Sequence, residues 1–290
     1  MNITTNVTRG FGRLATPMAW VFAFGAEALT IITLNALTLT VLTRTYGLRK
    51  KTTYFLINLT ITDLLVGLLP VPMYMIYIAD KPLFYKTKNL LKAFQALDMI
   101  FGACSIWTLA LISMERLCIV LIPYYHRSAK GKNYYYAMAF CWLLPIFISG
   151  LGFLASHGVI TRKVYLNLTF IFLLFIPTAT LVISHVVLAI KFNHRNLKSR
   201  RARQENALSK TLFIVTATFL ASFLPFQSLV FYMALRPTSI PPLTVVVALK
   251  LLQYGNSFMN PIIYWPRLPG FKAAAKKLVS KSRRYSNTEV

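Results

Sequence analysis

Acidic side chains are nearly missing from this chain, with 7 Asp+Glu against 32 Lys+Arg and a formal net charge of +25. Charge of both signs is sparse as well, 13% of residues where a water-soluble domain carries about a quarter. Cysteine is limited to Cys104, Cys118 and Cys141, and histidine to 4 positions. The cysteines fall within or at the ends of apolar stretches, which argues against a structural disulfide. His and Cys do not gather at metal-ligand spacing, no glycine-rich phosphate loop is present, and no nucleophile stands beside a base. The chain has little from which to build an enzyme. It does have 56% hydrophobic residues, whereas a nucleic-acid binder would cluster its basic residues on a polar face beside a modest core. The apolar excess must face hydrocarbon, with the positive charge at its borders.

Charges are costly in hydrocarbon, so their gaps mark spans. Seven apolar stretches appear: Thr16–Val41, Thr53–Ile78, Ala93–Met114, Tyr134–Leu154, Val164–Ile190, Thr211–Leu235 and Pro242–Tyr264. Each reaches the roughly 20 residues that a helix rising about 1.5 Å per residue needs to cross the membrane. The predicted fold is therefore all-α, a seven-transmembrane-helix bundle. Its parts are an amino-terminal segment 1–15, the bundle 16–264 and a tail 265–290, in which Leu268–Val279 reads as an amphipathic helix on the membrane surface. Of the 32 Lys+Arg, 22 fall on one set of alternate loops and the tail, 9 on the other set, and Lys250 lies inside a span. The positive-inside rule puts the 22 in the cytoplasm and the amino terminus outside. The sequons at Asn2 and Asn6 lie in that outside segment as glycosylation candidates, while Asn58-Leu-Thr lies within a span and should be unmodifiable.

Within the spans the acids and bases charged at neutral pH are Glu27, Asp63, Asp98 and Lys250, each a functional candidate by default. Helical periodicity groups them. On the third span Asp98, Ser105 and Arg116 share a stripe at separations of 7 and 11 residues. On the seventh, Lys250, Tyr254, Ser257 and Pro261 form one stripe beside Asn256, Asn260 and Tyr264. The sixth carries Phe219, Phe223, Phe226 and Val230 at spacings of 4, 3 and 4. Pro225 and Pro261 each remove a backbone hydrogen bond and supply a kink to their helix.

These residues fall into ordered motifs. The first span has T-L-N-A-L-T-L with Asn35; the second has N-L-T-I-T-D-L-L-V-G-L with Asn58 and Asp63; the third ends S-M-E-R-L-C-I-V. Cys141-Trp142, Pro177, F-L-A-S-F-L-P and N-S-F-M-N-P-I-I-Y follow in the remaining spans. In this order the motifs resemble a rhodopsin-like G protein-coupled receptor over nearly the whole chain. The resemblance implies a sodium pocket at Asp63, Ser105, Asn256, Ser257 and Asn260, the alternative being a protonated Asp63 bonded to those side chains. It implies an activation and G-protein-coupling set of Glu115, Arg116, Phe219, Pro225, Asn260, Pro261 and Tyr264. Glu115 there takes the place of the family's aspartate as the partner of Arg116, and an outward swing of the sixth helix opens a cytoplasmic groove. Departures are Leu91 in place of the family's cysteine at the top of the third helix, Phe223 in place of a tryptophan, and His185 in place of a tyrosine. The last two suggest altered coupling and keep a non-signalling decoy as a rival class.

The resemblance extends to the ligand. Asp98 and Tyr254 match the pair that receives amines in that family, with Phe226 able to form an aromatic wall for a cation and Phe223 beneath it. A protonated amine held by a charge-assisted hydrogen bond is the expected ligand. Lys250 does not belong to the amine pattern and has two acids to choose from, Asp98 and Glu27; with both charges available, a zwitterion or a peptide also suits the site. Nucleoside and lipid-like ligands remain alternatives. The retinal-bearing lysine position is Tyr254, one turn from Lys250, so retinal and other organic cofactors are not expected. Further expected partners are a heterotrimeric G protein, arrestin, a PDZ domain at Thr288–Val290, and anionic lipid along the basic segments. A seven-helix transporter is the remaining rival, and residues 1–140 and 141–290 show no repeat of the kind such proteins carry.

Overall fold

In the computed structural model the described residues are 3–44, 51–80, 82, 86–122, 124, 131–193, 200–236, 241–267, 271 and 273. The helices are α1 (Ile3–Arg44), α2 (Lys51–Leu68), α3 (Pro70–Ala79), α4 (Lys88–Leu121), α5 (Gly131–Ser156), α6 (Arg162–Leu168), α7 (Ile176–Asn193), α8 (Arg200–Leu235) and α9 (Leu243–Arg267), with a π-helical segment at Thr169–Phe175 joining α6 to α7. No strand occurs among the described residues. Together, α2 with α3 make the second span, and α6, the π segment and α7 make the fifth. The α4 helix occupies the centre, packing against α2, α5 and α7, and α9 closes the ring against α1, α2 and α8.

The bundle mixes polar with apolar side chains inside and shows large apolar ones outside. Asn35, Asp63, Thr108, Lys250 and Asn260 are buried, whereas Phe22, Leu143 and Phe147 are 73%, 64% and 65% exposed. Apolar surface of that kind is at home in lipid. Six helical stretches among the described residues are long and apolar enough to cross a membrane, from Pro17–Arg44 to Ser209–Leu235. The seventh, α9, has 25 residues but places Lys250, Gln253, Asn256 and Asn260 inside, so its polarity belongs to the bundle interior and lowers its hydropathy.

The prolines explain where the spans depart from single straight helices. Pro70 follows the turn at Leu69 and starts α3, because its ring and missing N–H break the ladder there. The π segment is marked by bonds five residues back, as from the Ile176 N–H to the Ile171 carbonyl. Pro177 has no N–H to give the Phe172 carbonyl, and the Trp107 indole of α4 donates to it instead at 3.0 Å. Likewise Pro261 frees the Ser257 carbonyl, which accepts from Asn35 Nδ2 at 2.9 Å. Pro177 and Pro261 thereby exchange an intrahelical bond for one that ties two helices together.

Several boundaries differ from the expected ones. The α1 helix is assigned from Ile3 rather than Thr16, α4 from Lys88 rather than Ala93, and α8 from Arg200 rather than Thr211. Helical hydrogen bonding continues past the polar border where an apolar stretch ends. The α5 helix stops at a Schellman-type cap in which Val159 N donates to Leu154 O at 3.0 Å and Gly158 takes φ 75°, a left-handed value that glycine adopts freely. The helix expected over 268–279 lies outside the described residues except for Phe271 and Ala273; Phe271 is fully buried, with its ring 5.6 Å from that of Trp265.

Candidate functional site

Four expected site residues meet on the facing sides of α4, α8 and α9. Lys250 Nζ lies 2.6 Å from Asp98 Oδ2, and the Tyr254 hydroxyl donates to Oδ1 at 2.8 Å. Both carboxylate oxygens are engaged from within the chain. The ammonium also donates to Gln253 Oε1 at 3.1 Å and stands 4.4 Å from the ring centroid of Phe226 and 4.6 Å from that of Tyr254. Of the two acids open to Lys250, it pairs with Asp98. Glu27 instead sits against the far side of α9, where a Cβ on Gly255 would be 3.2 Å from its Oε1. Asp98 presents 21% of its side chain to a cavity while Lys250 presents 2%, so a molecule in the cavity reaches the carboxylate and not the lysine.

That cavity has a volume of about 690 Å³, within the range of sites that hold drug-sized molecules. Phe223, Phe226, Met99, Ala103, Leu173 and Phe231 supply much of its wall, Gln227 and Asn167 add amides, and Arg162 and Lys163 of α6 reach it near the 157–161 turn. Gln253, Met99, Gln227 and the α6 pair were not singled out from sequence. Gln253 carried a signal, being three residues after Lys250 and hence on its face; the α6 pair carried none, since loop cations give no sign of which cavity they border. Phe223 stacks on Phe219 at 4.9 Å and faces Gly102, whose Cβ would lie 3.5 Å away.

Deeper in the bundle a second polar cluster lies around Asp63. Asn260 Nδ2 donates to Asp63 Oδ2 at 2.8 Å, and Ser105 and Ser257 flank the carboxylate. Asp63 Oδ1 and Asn256 Oδ1 are buried acceptors without a hydrogen-bond donor. A water-sized cavity of about 20 Å³ touches Asp98, Tyr254, Ser105, Asn256 and Ser257 and so connects the two clusters. Asn58 anchors the next level: its Nδ2 donates to Thr108 Oγ1 at 2.8 Å and its Oδ1 accepts from Trp142 Nε1 at 2.9 Å. At the far end Glu115 Oε1 accepts from the Tyr134 hydroxyl at 2.8 Å. His185 Nδ1 lies 2.8 Å from the Leu181 carbonyl. The three cysteines are free. Asn2, the Asn6 and Tyr264 side chains and Thr288–Val290 lie outside the described residues.

Residues 34–264, which carry these polar levels, match the family described as 7 transmembrane receptor (rhodopsin family). The chain belongs to the rhodopsin family of seven-transmembrane receptors. As a member of it, the chain is a multi-pass membrane protein and a receptor rather than an enzyme. Similar receptors include Trace amine-associated receptor 7f of Mus musculus, 28% identical across 89% of this chain and 81% of that one. Trace amine-associated receptor 7b of Mus musculus is 30% identical across 90% and 81%. The Histamine H2 receptor of Cavia porcellus is 25% identical across 80% and 71%.

Proposed function

We propose that this receptor binds an extracellular small molecule bearing an amine and passes the signal to a heterotrimeric G protein. One observation carries the ligand class: Asp98 is the acid that lines the 690 Å³ cavity, and it is set among Tyr254 and Phe226 as a cation site would be. The names of the similar receptors, with trace amines and histamine in them, agree. The amino terminus is outside the plasma membrane, and the cytoplasmic groove forms between Arg116 and α8 as the latter swings about Pro225. Glu115 restrains Arg116 in the resting state, with Phe219, Asn260, Pro261 and Tyr264 carrying the change between the cavity and the groove. Arrestin, a PDZ domain at Thr288–Val290 and anionic lipid at the basic tail are further cytoplasmic partners in this reading. The test is a screen of amines, amino acids, nucleosides, lipids and short peptides on cells expressing the full chain, read by G-protein activation. A response confined to amine-bearing compounds is expected; a response confined to nucleosides or lipids removes the amine reading, and agonist binding without G-protein recruitment makes the chain a decoy.

The residues around Asp63 fit a sodium ion. One carboxylate, two serine hydroxyls and an amide oxygen are the hard oxygen donors such an ion takes, and Asp63 Oδ1 and Asn256 Oδ1 have acceptor capacity to spare. Bound there, sodium would neutralise Asp63 and hold α2, α4 and α9 in the resting arrangement. Thermal unfolding of the purified receptor should shift upward in sodium chloride relative to equimolar choline chloride. The gain is about 1.4 kcal/mol at ten times the dissociation constant, and Asp63→Asn should abolish it. Equal stability in the two salts removes the ion.

A further inference from the structure

We infer that Lys250 is a resident cation of the amine site and that the ligand which suits this cavity is amphoteric, carrying an acid as well as an amine on an apolar body. The inference rests on the amine reading of Asp98. A ligand ammonium coming to Asp98 meets a carboxylate already paired with Lys250 at 2.6 Å and with Tyr254 at 2.8 Å. The lysine is held in place by more than its charge, since Gln253 accepts from it and two aromatic faces lie within 4.6 Å. It has a built position of its own.

Coulomb's law sets the consequence. A second ammonium roughly 3 Å from the carboxylate stands roughly 4.5 Å from Lys250 Nζ, so about two-thirds of its attraction is cancelled by repulsion. Asp98 keeps a use for it, because a carboxylate oxygen accepts more than one hydrogen bond and 21% of the side chain faces the cavity. Once Lys250 neutralises Asp98, the remaining ionisable residues of the lining are Arg162 and Lys163, both cations. A plain monocation therefore finds a cavity with a positive surplus, whereas a molecule with an amine at one end and a carboxylate at the other answers both regions. The aromatic wall at Phe223, Phe226 and Phe231 takes its apolar body.

Three probes with one phenyl body separate these terms: 4-(2-aminoethyl)benzoate, which holds its amine and its acid at opposite ends, phenethylamine and 4-ethylbenzoate, each titrated against the purified full chain and read by thermal shift. Wild type should bind 4-(2-aminoethyl)benzoate at least tenfold more tightly than phenethylamine or 4-ethylbenzoate. Lys250→Met should raise phenethylamine affinity tenfold or more, and Lys250→Gln, which keeps a hydrogen-bond donor without the charge, should move it the same way should the methionine variant fold poorly. The double substitution Arg162→Gln with Lys163→Gln should erase the advantage of 4-(2-aminoethyl)benzoate. Phenethylamine binding best in wild type, or unchanged in both Lys250 variants while still weakened by Asp98→Asn, overturns the resident-cation inference and leaves the amine reading standing. Probes that bind indifferently to Asp98→Asn, or none that binds to any variant, overturn both.

Discussion

Asp98→Asn should silence the amine response and, as a separate effect, cost the fold about 3–5 kcal/mol. The substitution leaves Lys250, 2% exposed, as a charge in the bundle interior with its counter-ion gone. The incoming amide also brings two donors of its own to a place where the Lys250 ammonium and the Tyr254 hydroxyl are already donating. Adding Lys250→Met should restore most of the stability, because removing both members of a buried pair is often close to neutral while removing one is not. Signalling should not return with it, since the double variant still lacks the acid. Thermal unfolding of the purified variants measures the first effect, and concentration-response curves at matched surface expression measure the second. A single variant as stable as wild type would mean that Lys250 has found another partner, and an unchanged curve would remove Asp98 from the ligand site.

The pair at the heart of that cycle was half visible in the sequence. Periodicity put Asp98 on the inner stripe of its helix and Lys250 above Tyr254 on another, and the motif order placed both helices in one bundle. It did not decide between Asp98 and Glu27 as the lysine's partner, because that choice depends on how α9 is rotated against α1 and α4. Glu27 comes up to α9 at Gly255, where a side chain would crowd its carboxylate, and no spacing rule reports that approach. The Thr169–Phe175 π segment was hidden for a related reason. Hydropathy registers an apolar run and says nothing of its hydrogen-bond pattern, in which the Phe172 carbonyl accepts from Trp107 on another helix. Helix ends were missed outward, at Lys88 and Arg200, since backbone hydrogen bonds do not stop where the membrane does. The cavity was legible at Asp98, Phe223 and Phe226 but not on its α6 side: Arg162 and Lys163 counted only as loop charge until the fold brought them into the lining with Leu166 and Phe170.

The second large effect should come from Asn58, whose amide joins three helices. Asn58→Leu keeps the volume and deletes both bonds, but the losses are unequal. Thr108 still has the Cys104 carbonyl, to which its hydroxyl donates at 2.7 Å. The Trp142 indole N–H gives its hydrogen bond to Asn58 Oδ1 and would be left in an apolar setting, at a cost of about 1–3 kcal/mol. Trp142→Phe removes that donor and leaves Asn58 Oδ1 as an acceptor with spare capacity, which is the milder deficit. The double variant should then be more stable than the sum of the two singles implies, with a coupling of about 1 kcal/mol or more, because neither partner is left stranded when both are replaced. Unfolding midpoints of the three variants test this directly. Strict additivity would show that water or lipid satisfies the indole as well as Asn58 does, and would remove the three-helix node as a source of stability.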